Sequence, residues 1–242
     1  MQQRPNNKLI NIGHRGAMGH APENTLASIQ QAVELNVDII ELDVYCIDGE
    51  LILIHDDRLE RTTNGEGYVW NHSFEELRKL DAGGGQQIPT LQEAYEIIPD
   101  NIRINIEIKG RTATRPVIEF IQKHAVTKKE KQRFLVSSFI HQEIKLAKKL
   151  DKDIPTGALC CAEPVKLAKF AHKLKASTVN PSIEFVTKEF VTDAHDRGLQ
   201  VFAYTVNHPE DIQRMHEMGV DGVFSNYPER VNKYNESITV WL

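Results

Sequence analysis

The 242-residue sequence contains few cysteines and no long apolar run. Its three cysteines are Cys46, Cys160 and Cys161, and the last two are adjacent and therefore poorly placed to bond to each other. An odd and sparse set of cysteines is typical of a reducing compartment. No apolar run approaches the roughly 20 residues that span a bilayer, and the first residues lack the apolar core of a signal peptide. These absences predict a soluble cytoplasmic protein without a membrane anchor.

The sequence also lacks a basic excess. It has 29 Lys and Arg residues against 34 Asp and Glu residues, for a formal charge of -5. This balance argues against a nucleic-acid partner that binds through a broad basic surface, although a local basic pocket stays open. We find no short-period repeat and no linker rich in Gly, Pro or Ser. Residues 1–242 are therefore expected to form a single domain.

Apolar runs alternate with stretches of helical periodicity along the whole chain, and these stretches, among them Glu163–Leu174, are predicted helices. About eight runs follow a helical stretch or begin the series, and this number favours a TIM (β/α)8 barrel over an open doubly wound sheet. The open sheet remains the structural alternative. The predicted strands are Leu9–Gly13, Val37–Tyr45, Ile102–Ile108, Arg133–Phe139, Ile154–Cys160, Ala176–Ser182, Leu199–Val206 and Val220–Asn226.

One further strand is predicted outside this alternation. The pair Asp48-Gly49 separates two β-rich runs, which is a strong hairpin signal. Leu51–His55 should therefore fold back antiparallel on the strand before it, so that position 54 pairs with Asp43 and His55 lies level with the end of that strand. The polar, glycine-bearing stretch that follows, Asp56–Pro89, is the predicted small insertion.

Ionisable side chains recur where the predicted strands end. In a barrel the functional groups collect at the C-terminal ends of the strands, whereas a random polar surface would scatter them. The ionisable residues at these ends include His14, Arg15, Glu41, Asp43, His55, Asp56, Glu107, Lys109 and Tyr204, and the last strand ends in Asn226.

The carboxylates among them predict a metal site. Glu41 and Asp43 are two residues apart on a strand and so point to the same face. Both faces of a barrel strand are buried, and buried carboxylates need partners. With Glu107 from a neighbouring strand they form an oxygen-rich set that suits Mg²⁺ or Ca²⁺. Two simpler interpretations stay open, namely a solvated acidic face and an ion pair between Glu107 and Lys109.

Several segments together resemble the glycerophosphodiester phosphodiesterase family. They are HRGAMGHAPENT, IIELDV, ILIHDDRLERTTNGEG, NIEIKG, FAYTVN and GVDGVFSNYPER, and they extend in one order from Asn11 to Arg230. The resemblance implies a TIM-barrel hydrolase with a divalent cation, Mg²⁺ or Ca²⁺. It implies a small-molecule substrate, a glycerophosphodiester, which is cut to sn-glycerol 3-phosphate and an alcohol.

The resemblance also implies roles for single residues. Tyr204 stands where the family usually has Trp, and the link between DAG and IPTL is shorter than usual, so the alcohol side of the mouth is expected to differ. By resemblance, His14 and His55 are the acid–base pair, and Glu41, Asp43 and Glu107 are the metal ligands. Arg15 and Lys109 face the phosphate. Glu23, Asn24 and Tyr204 are further substrate-site residues, and Glu23 and Asn24 are expected to orient Arg15 or His14.

Two other functions are compatible with parts of this pattern. A non-catalytic barrel that binds a phosphate ligand would need Arg15 and Lys109, but neither the two histidines nor the three acids. A lysophospholipase D-like lipid phosphodiesterase would need an exposed apolar rim or an anchor, and the sequence shows neither clearly. A homo-oligomer is left open.

Overall fold

Eight parallel strands close into a barrel in the computed structural model, which describes residues 8–239. The first strand pairs with both the second and the last, and this double pairing closes the sheet. The TIM-barrel prediction is therefore confirmed, and the open doubly wound sheet is excluded. The barrel strands are β1 (Ile10–Gly13), β2 (Ile39–Ile47), β4 (Arg103–Ile108), β5 (Phe134–Ser138), β6 (Thr156–Cys160), β7 (Thr178–Pro181), β8 (Gln200–Ala203) and β9 (Gly222–Ser225).

Helices cover the outside of the barrel. Their apolar faces pack on the outward side chains of the strands in two large clusters of buried residues, as expected when each helix crosses between parallel strands. The helices are α1 (Leu26–Glu34), α2 (Phe74–Leu77), α3 (Leu91–Ile97), α4 (Thr114–His124), α5 (Lys128–Lys131), α6 (His141–Leu150), α7 (Lys169–Lys173), α8 (Lys188–Asp196), α9 (Pro209–Met218) and α10 (Pro228–Thr239).

The ninth strand, β3 (Glu50–Leu53), lies outside the barrel and pairs antiparallel with β2. The register places Val44 opposite Leu53, and the Ile54 amide donates to the Asp43 carbonyl oxygen at 3.2 Å. The turn uses two left-handed residues, Asp48 with φ 52° and Gly49 with φ 88°. This backbone suits the twist of a two-residue hairpin, and the predicted hairpin is confirmed.

Residues 56–89, here called the insertion, follow β3 and have a small apolar core of their own. The insertion contains a 3-10 turn, Val69–Asn71, and the short helix α2, which Ser73 caps through the Glu76 amide. Its buried side chains pack on the outer face of the β2–β3 hairpin, and those of the insertion are Leu59, Val69, Leu77, Ala82 and Ile88. The insertion is therefore fixed to the hairpin that ends beside the strand termini.

One predicted helix is wrong in its first half. The helical spacing over Glu163–Leu174 becomes a helix only from Lys169 to Lys173. The interruption lies at Leu167, which takes a left-handed backbone with φ 45°, a conformation that a right-handed helix does not continue through. The segment after β6 is therefore an irregular loop followed by a short helix.

The barrel interior changes from apolar to acidic along β2. Its lower part is filled by a cluster of five buried side chains, which are Ile12, Ile39, Leu135, Phe202 and Phe224. Because side chains on one face recur every second residue, the two positions that follow Ile39 on this face are Glu41 and Asp43. The pleat of β2 thus directs two carboxylates into the upper barrel.

We expect the hairpin turn to depend on Gly49. A Cβ at this position meets no atom within 4 Å, so the cost of Gly49→Ala comes from its φ of 88°. The left-handed region costs an ordinary L residue about 1–2 kcal/mol, and we expect that loss in the free energy of unfolding measured with urea.

Gly49→Asn is the matched control, because asparagine tolerates this backbone region far better than alanine. It should lose less than half as much stability as Gly49→Ala. Equal losses for the two variants would show that the backbone argument is wrong.

Candidate active site

Three buried carboxylates converge at the C-terminal ends of β2 and β4. Glu41, Asp43 and Glu107, here called the acid triad, each offer an oxygen atom, and these atoms lie within 4.8 Å of one another. Asp43 and Glu107 are direct partners in the register of the two strands. Oxygen donors at this spacing are able to hold a metal ion.

The proximity of these carboxylates affects their protonation. Burial, followed by the charges of Asp43 and Glu107, raises the pKa of Glu41 well above its ordinary value. Burial and the charge of Asp43 raise the pKa of Glu107 to about 7. Within residues 8–239, the buried Oε1 of Glu41 has no hydrogen-bond partner. Burial and mutual repulsion therefore disfavour ionisation of all three carboxylates of the acid triad at once.

Arg15 supplies one cation beside the acid triad. Its backbone amide donates to Oε2 of Glu41 at 2.8 Å, and its Nε lies 3.4 Å from Oδ2 of Asp43. Arg15 has φ 52°, and Ser28 Oγ donates to its carbonyl oxygen at 2.9 Å. Ser28 also completes the N-terminal cap of α1 with Thr25. The tight β1–α1 loop thus fixes Arg15 from both sides.

Lys109 supplies the second cation from the end of β4. Its Nζ lies 2.8 Å from Oε1 of Glu107 and 3.4 Å from Oδ1 of Asp43. Burial works against the charged form, yet these carboxylates raise the pKa of Lys109. Likewise, burial opposes ionisation of Asp43, but Lys109 and Arg15 lower its pKa. The ion pair between Lys109 and Glu107 that the spacing allowed is present, within a larger cluster of charges.

His14 lies at the end of β1, next to Arg15. Its amide donates to the Ser225 carbonyl oxygen at 3.0 Å, and its Nδ1 lies 2.7 Å from Oδ1 of Asn226. Burial and the charge of Arg15 lower the pKa of His14 to about 4. The ring is therefore neutral at pH 7. Because an amide oxygen only accepts, Nδ1 carries the proton and Nε2 keeps a free lone pair.

His55 lies just past the end of β3, where the hairpin returns to the strand ends. Its Nδ1 lies 2.5 Å from Oδ1 of Asp56, and its side chain is 30% exposed. Burial, assisted by the nearby cations Lys109 and Arg15, lowers the pKa of His55, while Asp43 and Asp56 act in the opposite direction. The two histidines thus differ in their partners, a neutral amide for His14 and a carboxylate for His55.

Glu23 and Asn24 follow in the same loop but contact different members of the site. Glu23 Oε1 accepts from NH1 of Arg15 at 2.6 Å, as the expectation for an orienting residue requires. Asn24 donates through Nδ2 to Oδ2 of Asp43 at 2.9 Å and accepts from the Asp43 amide at 3.2 Å. Its side chain therefore braces Asp43 and not Arg15 or His14.

Tyr204 lies past the end of β8, on the opposite side of the mouth from the hairpin. Its hydroxyl donates to the Cys160 carbonyl oxygen at 3.0 Å. Its ring packs edge-on against Phe139, which is 39% exposed. Lys109 Nζ lies 6.0 Å from the centre of the Phe139 ring. The two aromatic rings therefore form an apolar wall close to the cations.

The sequence patterns assigned no role to three side chains that contact the site, which are Asp56, Arg61 and Asn226. Asn226 was recognised as a strand-end residue, but its contact with His14 joins positions 212 residues apart. Asp56 and Arg61 lie in the segment ILIHDDRLERTTNGEG, which carried the resemblance without a role for either. A carboxylate directly after His55 was the one signal that could have indicated a histidine partner.

No helix in the described part of the chain, residues 8–239, is long and apolar enough to cross a membrane.

Comparisons with known proteins give one consistent result. The model of the Glycerophosphoryl diester phosphodiesterase family matches residues 14–230. A glycerophosphodiester phosphodiesterase of Caldanaerobacter subterraneus subsp. tengcongensis is 38% identical over 232 residues, which cover 92% of this chain and 96% of that protein. A glycerophosphodiester phosphodiesterase of Bacillus subtilis is 31% identical, with coverage of 93% and 86%.

Two solved structures share the whole fold. A phosphodiesterase of Oleispira antarctica, in complex with the product sn-glycerol-3-phosphate, is 31% identical with a TM-score of 0.83, covering 93% of this chain and 96% of that one. A glycerophosphodiester phosphodiesterase of Thermotoga maritima is 26% identical with a TM-score of 0.79, covering 97% and 100%. With the family model matched over residues 14–230, the chain belongs to the glycerophosphoryl diester phosphodiesterase family and is a phosphoric diester hydrolase.

Proposed function

We propose that this enzyme hydrolyses glycerophosphodiesters to sn-glycerol 3-phosphate and an alcohol, with a divalent cation at the acid triad. The observation that carries the proposal is the arrangement of three buried carboxylates between two cations and two histidines at one end of the barrel. The relatives named as glycerophosphodiester phosphodiesterases, and the neighbour that binds sn-glycerol-3-phosphate, support the same substrate class.

The acid triad fits a hard cation. Its donors are carboxylate oxygens, which Mg²⁺ and Ca²⁺ prefer, and Oε1 of Glu41 is buried without a hydrogen-bond partner in residues 8–239. The ligands would be Glu41, Asp43 and Glu107. When bound, a divalent cation neutralises charge on the phosphate oxygens and polarises the phosphorus for attack.

Arg15 and Lys109 are placed to bind the phosphate. A phosphodiester is an anion that resists nucleophiles, so positive charge near its non-bridging oxygens lowers the barrier. Both side chains are largely buried, 13% and 14% exposed. They already contact Asp43, so a phosphate bound by them would lie next to the acid triad.

The two histidines suit opposite proton transfers. His14 is neutral at pH 7 and keeps a free lone pair on Nε2, which is the form of a general base. His55 donates Nδ1–H to Asp56, and this carboxylate opposes the lowering of the ring's pKa by burial and by Lys109 and Arg15, which favours His55 over His14 as the general acid. We assign His14 to deprotonate the nucleophile and His55 to protonate the leaving alcohol.

Tyr204 and Phe139 form the apolar wall of the same mouth and are proposed to contact the substrate carbon atoms. This apolar wall lies next to the cations, since Lys109 Nζ is 6.0 Å from the centre of the Phe139 ring. The part of the substrate that extends from the phosphate would thus meet aromatic surface.

The first prediction concerns the metal. Treatment with a chelator should abolish hydrolysis of glycerophosphocholine, and added Mg²⁺ or Ca²⁺ should restore it. Glu41→Gln should lose activity and cation affinity together, with the affinity measured by calorimetry. Glu119→Gln, an exposed substitution on α4, is the matched control and should change neither. Full activity in the chelated protein would exclude the cation.

The second prediction concerns the histidines. His14→Ala and His55→Ala should each lower turnover by at least about 10², the lower end for general acid–base catalysis, while the fold survives. His172→Ala is the control, because His172 is exposed on α7. Wild-type turnover in His55→Ala would contradict the role assigned to His55.

The third prediction concerns stability without metal. A raised pKa means that the folded state binds a proton more tightly than the unfolded chain does. Protonation of Glu41 therefore stabilises the fold at low pH, and this stabilisation is lost as the pH rises through the folded-state pKa. In chelator, Glu41→Gln should therefore be more stable than the wild type at pH 8, by at least about 1 kcal/mol, and the difference should shrink towards pH 5.

Glu119→Gln again provides the control, because Glu119 is exposed on α4 and lies outside the acid triad. Its stability difference from the wild type should be the same at both pH values. A Glu41→Gln variant that is less stable than the wild type at pH 8 would show that the buried charge is already compensated within the protein.

A further inference from the structure

A continuous series of ion pairs connects Arg15 with His55 around the outside of the site. Arg61 Nε and NH2 donate to the two oxygens of Asp56, NH2 at 3.0 Å from Oδ1. The same guanidinium donates to both oxygens of Glu23, with NH1 and NH2 each at 2.7 Å. Glu23 also binds Arg15, and Asp56 also binds His55. Arg61 is therefore the shared partner of the two carboxylates that orient the phosphate-binding cation and the proposed acid.

Only an arginine can make this set of contacts. The guanidinium offers five N–H donors in a fixed plane and can bind two carboxylates along two of its edges, whereas lysine presents a single ammonium point. The hydrogen bonds of Arg61 lower the pKa of Asp56 strongly and, with Arg15, that of Glu23, although burial opposes the latter. Both carboxylates thus stay ionised and bound.

The backbone around Arg61 is fixed by the insertion. Leu59 is fully buried in the small core of the insertion, and its amide donates to the Gly67 carbonyl oxygen at 3.0 Å. The Thr63 amide and hydroxyl both donate to the Leu59 carbonyl oxygen, at 3.0 and 2.8 Å. These contacts form a closed turn over residues 59–63, with Arg61 within it. The insertion therefore fixes the backbone at Arg61, and the Arg61 guanidinium lies between Glu23 and Asp56.

We propose that Arg61 is a positioning residue, which holds Asp56 against His55 and Glu23 against Arg15 and thereby fixes the proton donor and the phosphate-binding cation relative to each other. The inference rests on the proposed function, because it assigns Arg61 to the same reaction. In the described chain the hydrogen bonds and ion pairs of Arg61 go to Asp56 and Glu23 and not to the acid triad, so Arg61 acts through these two carboxylates. Its side chain is 48% exposed, and exposed ion pairs contribute little to stability, so its loss should appear in catalysis and not in folding.

The two contacts of Arg61 give two separable effects. Loss of the Asp56 contact should act through His55 on kcat, and loss of the Glu23 contact should act through Arg15 on KM. Arg61→Gln should lower kcat on glycerophosphocholine by about tenfold or more, the range for removing a residue that orients a reacting group, and should raise KM severalfold. Arg61→Lys keeps the charge without the planar fork, so it should recover only part of each loss.

Arg58→Gln is the matched control. Arg58 lies in the same turn region, pairs with Glu60 and stacks on Tyr68 at 4.9 Å from the ring centre, but has no contact with Glu23 or Asp56 among its hydrogen bonds and ion pairs in the described chain. Its replacement should leave kcat and KM unchanged. Circular dichroism and thermal unfolding of all variants measure the folded fraction, so that rates refer to folded enzyme.

Double variants separate positioning from a general structural role. In the background of Asp56→Asn, Arg61→Gln should lower kcat no further but should still raise KM. In the background of Glu23→Gln, it should still lower kcat but should raise KM no further. A general loosening of the fold would instead multiply both losses in both backgrounds.

Three outcomes would overturn the proposal: a kcat of Arg61→Gln within threefold of the wild type, losses that multiply in the Asp56→Asn background, or, if Arg61→Gln does not fold, an Arg61→Lys enzyme with wild-type kcat and KM. These outcomes are distinct from failure of the proposed function. If the wild-type enzyme itself does not release choline from glycerophosphocholine, the substrate class is wrong, whereas an active wild type with an unaffected Arg61→Gln variant excludes only the positioning role.

Discussion

Mutual repulsion among the three carboxylates of the acid triad is the constraint on which the rest of the site depends. One oxygen atom of each carboxylate lies within 4.8 Å of the others in the upper barrel, and all three residues are buried. Burial and like charge both penalise ionisation there. The chain therefore places fixed cations around the triad, and the structure at the ends of β1 and β4 follows from the need to hold Arg15 and Lys109 close to Asp43.

The same need explains the unusual backbone after β1. A straight continuation of the strand would carry Arg15 away from the triad, whereas its left-handed φ of 52° turns the amide towards Glu41. The following Gly16 also has a positive φ, and a Cβ there would lie 2.6 Å from Ser28. The left-handed backbone and the close packing of this loop thus hold Arg15 beside the carboxylates of the acid triad. Strain of this kind is common at functional sites.

The sequence predicts those parts of the site that depend on local periodicity. Glu41 and Asp43 share a face because of the two-residue repeat of a strand, and Asp48-Gly49 determines the register that returns His55 to the strand ends. Contacts between distant segments are not encoded in any local pattern. Arg61 meets Glu23 across 38 residues, and His14 meets Asn226 across 212. The helix predicted over Glu163–Leu174 is wrong for a different reason. Its helical spacing is present in the sequence, but the left-handed backbone of Leu167 interrupts the first turns.

The pairing of β1 with β9 has a consequence for the order of events when the chain folds. His14 receives its backbone partner from Ser225 and its side-chain partner from Asn226, so both contacts form only after the last strand has docked. Contacts between such distant segments form slowly, since a long loop must close first. A nascent or partly refolded chain can therefore gather Glu41, Asp43 and Glu107 through the adjacent strands β2 and β4 while His14 is still unoriented. The acid triad should therefore assemble early in refolding, and the orientation of His14 should come last, with closure of the barrel.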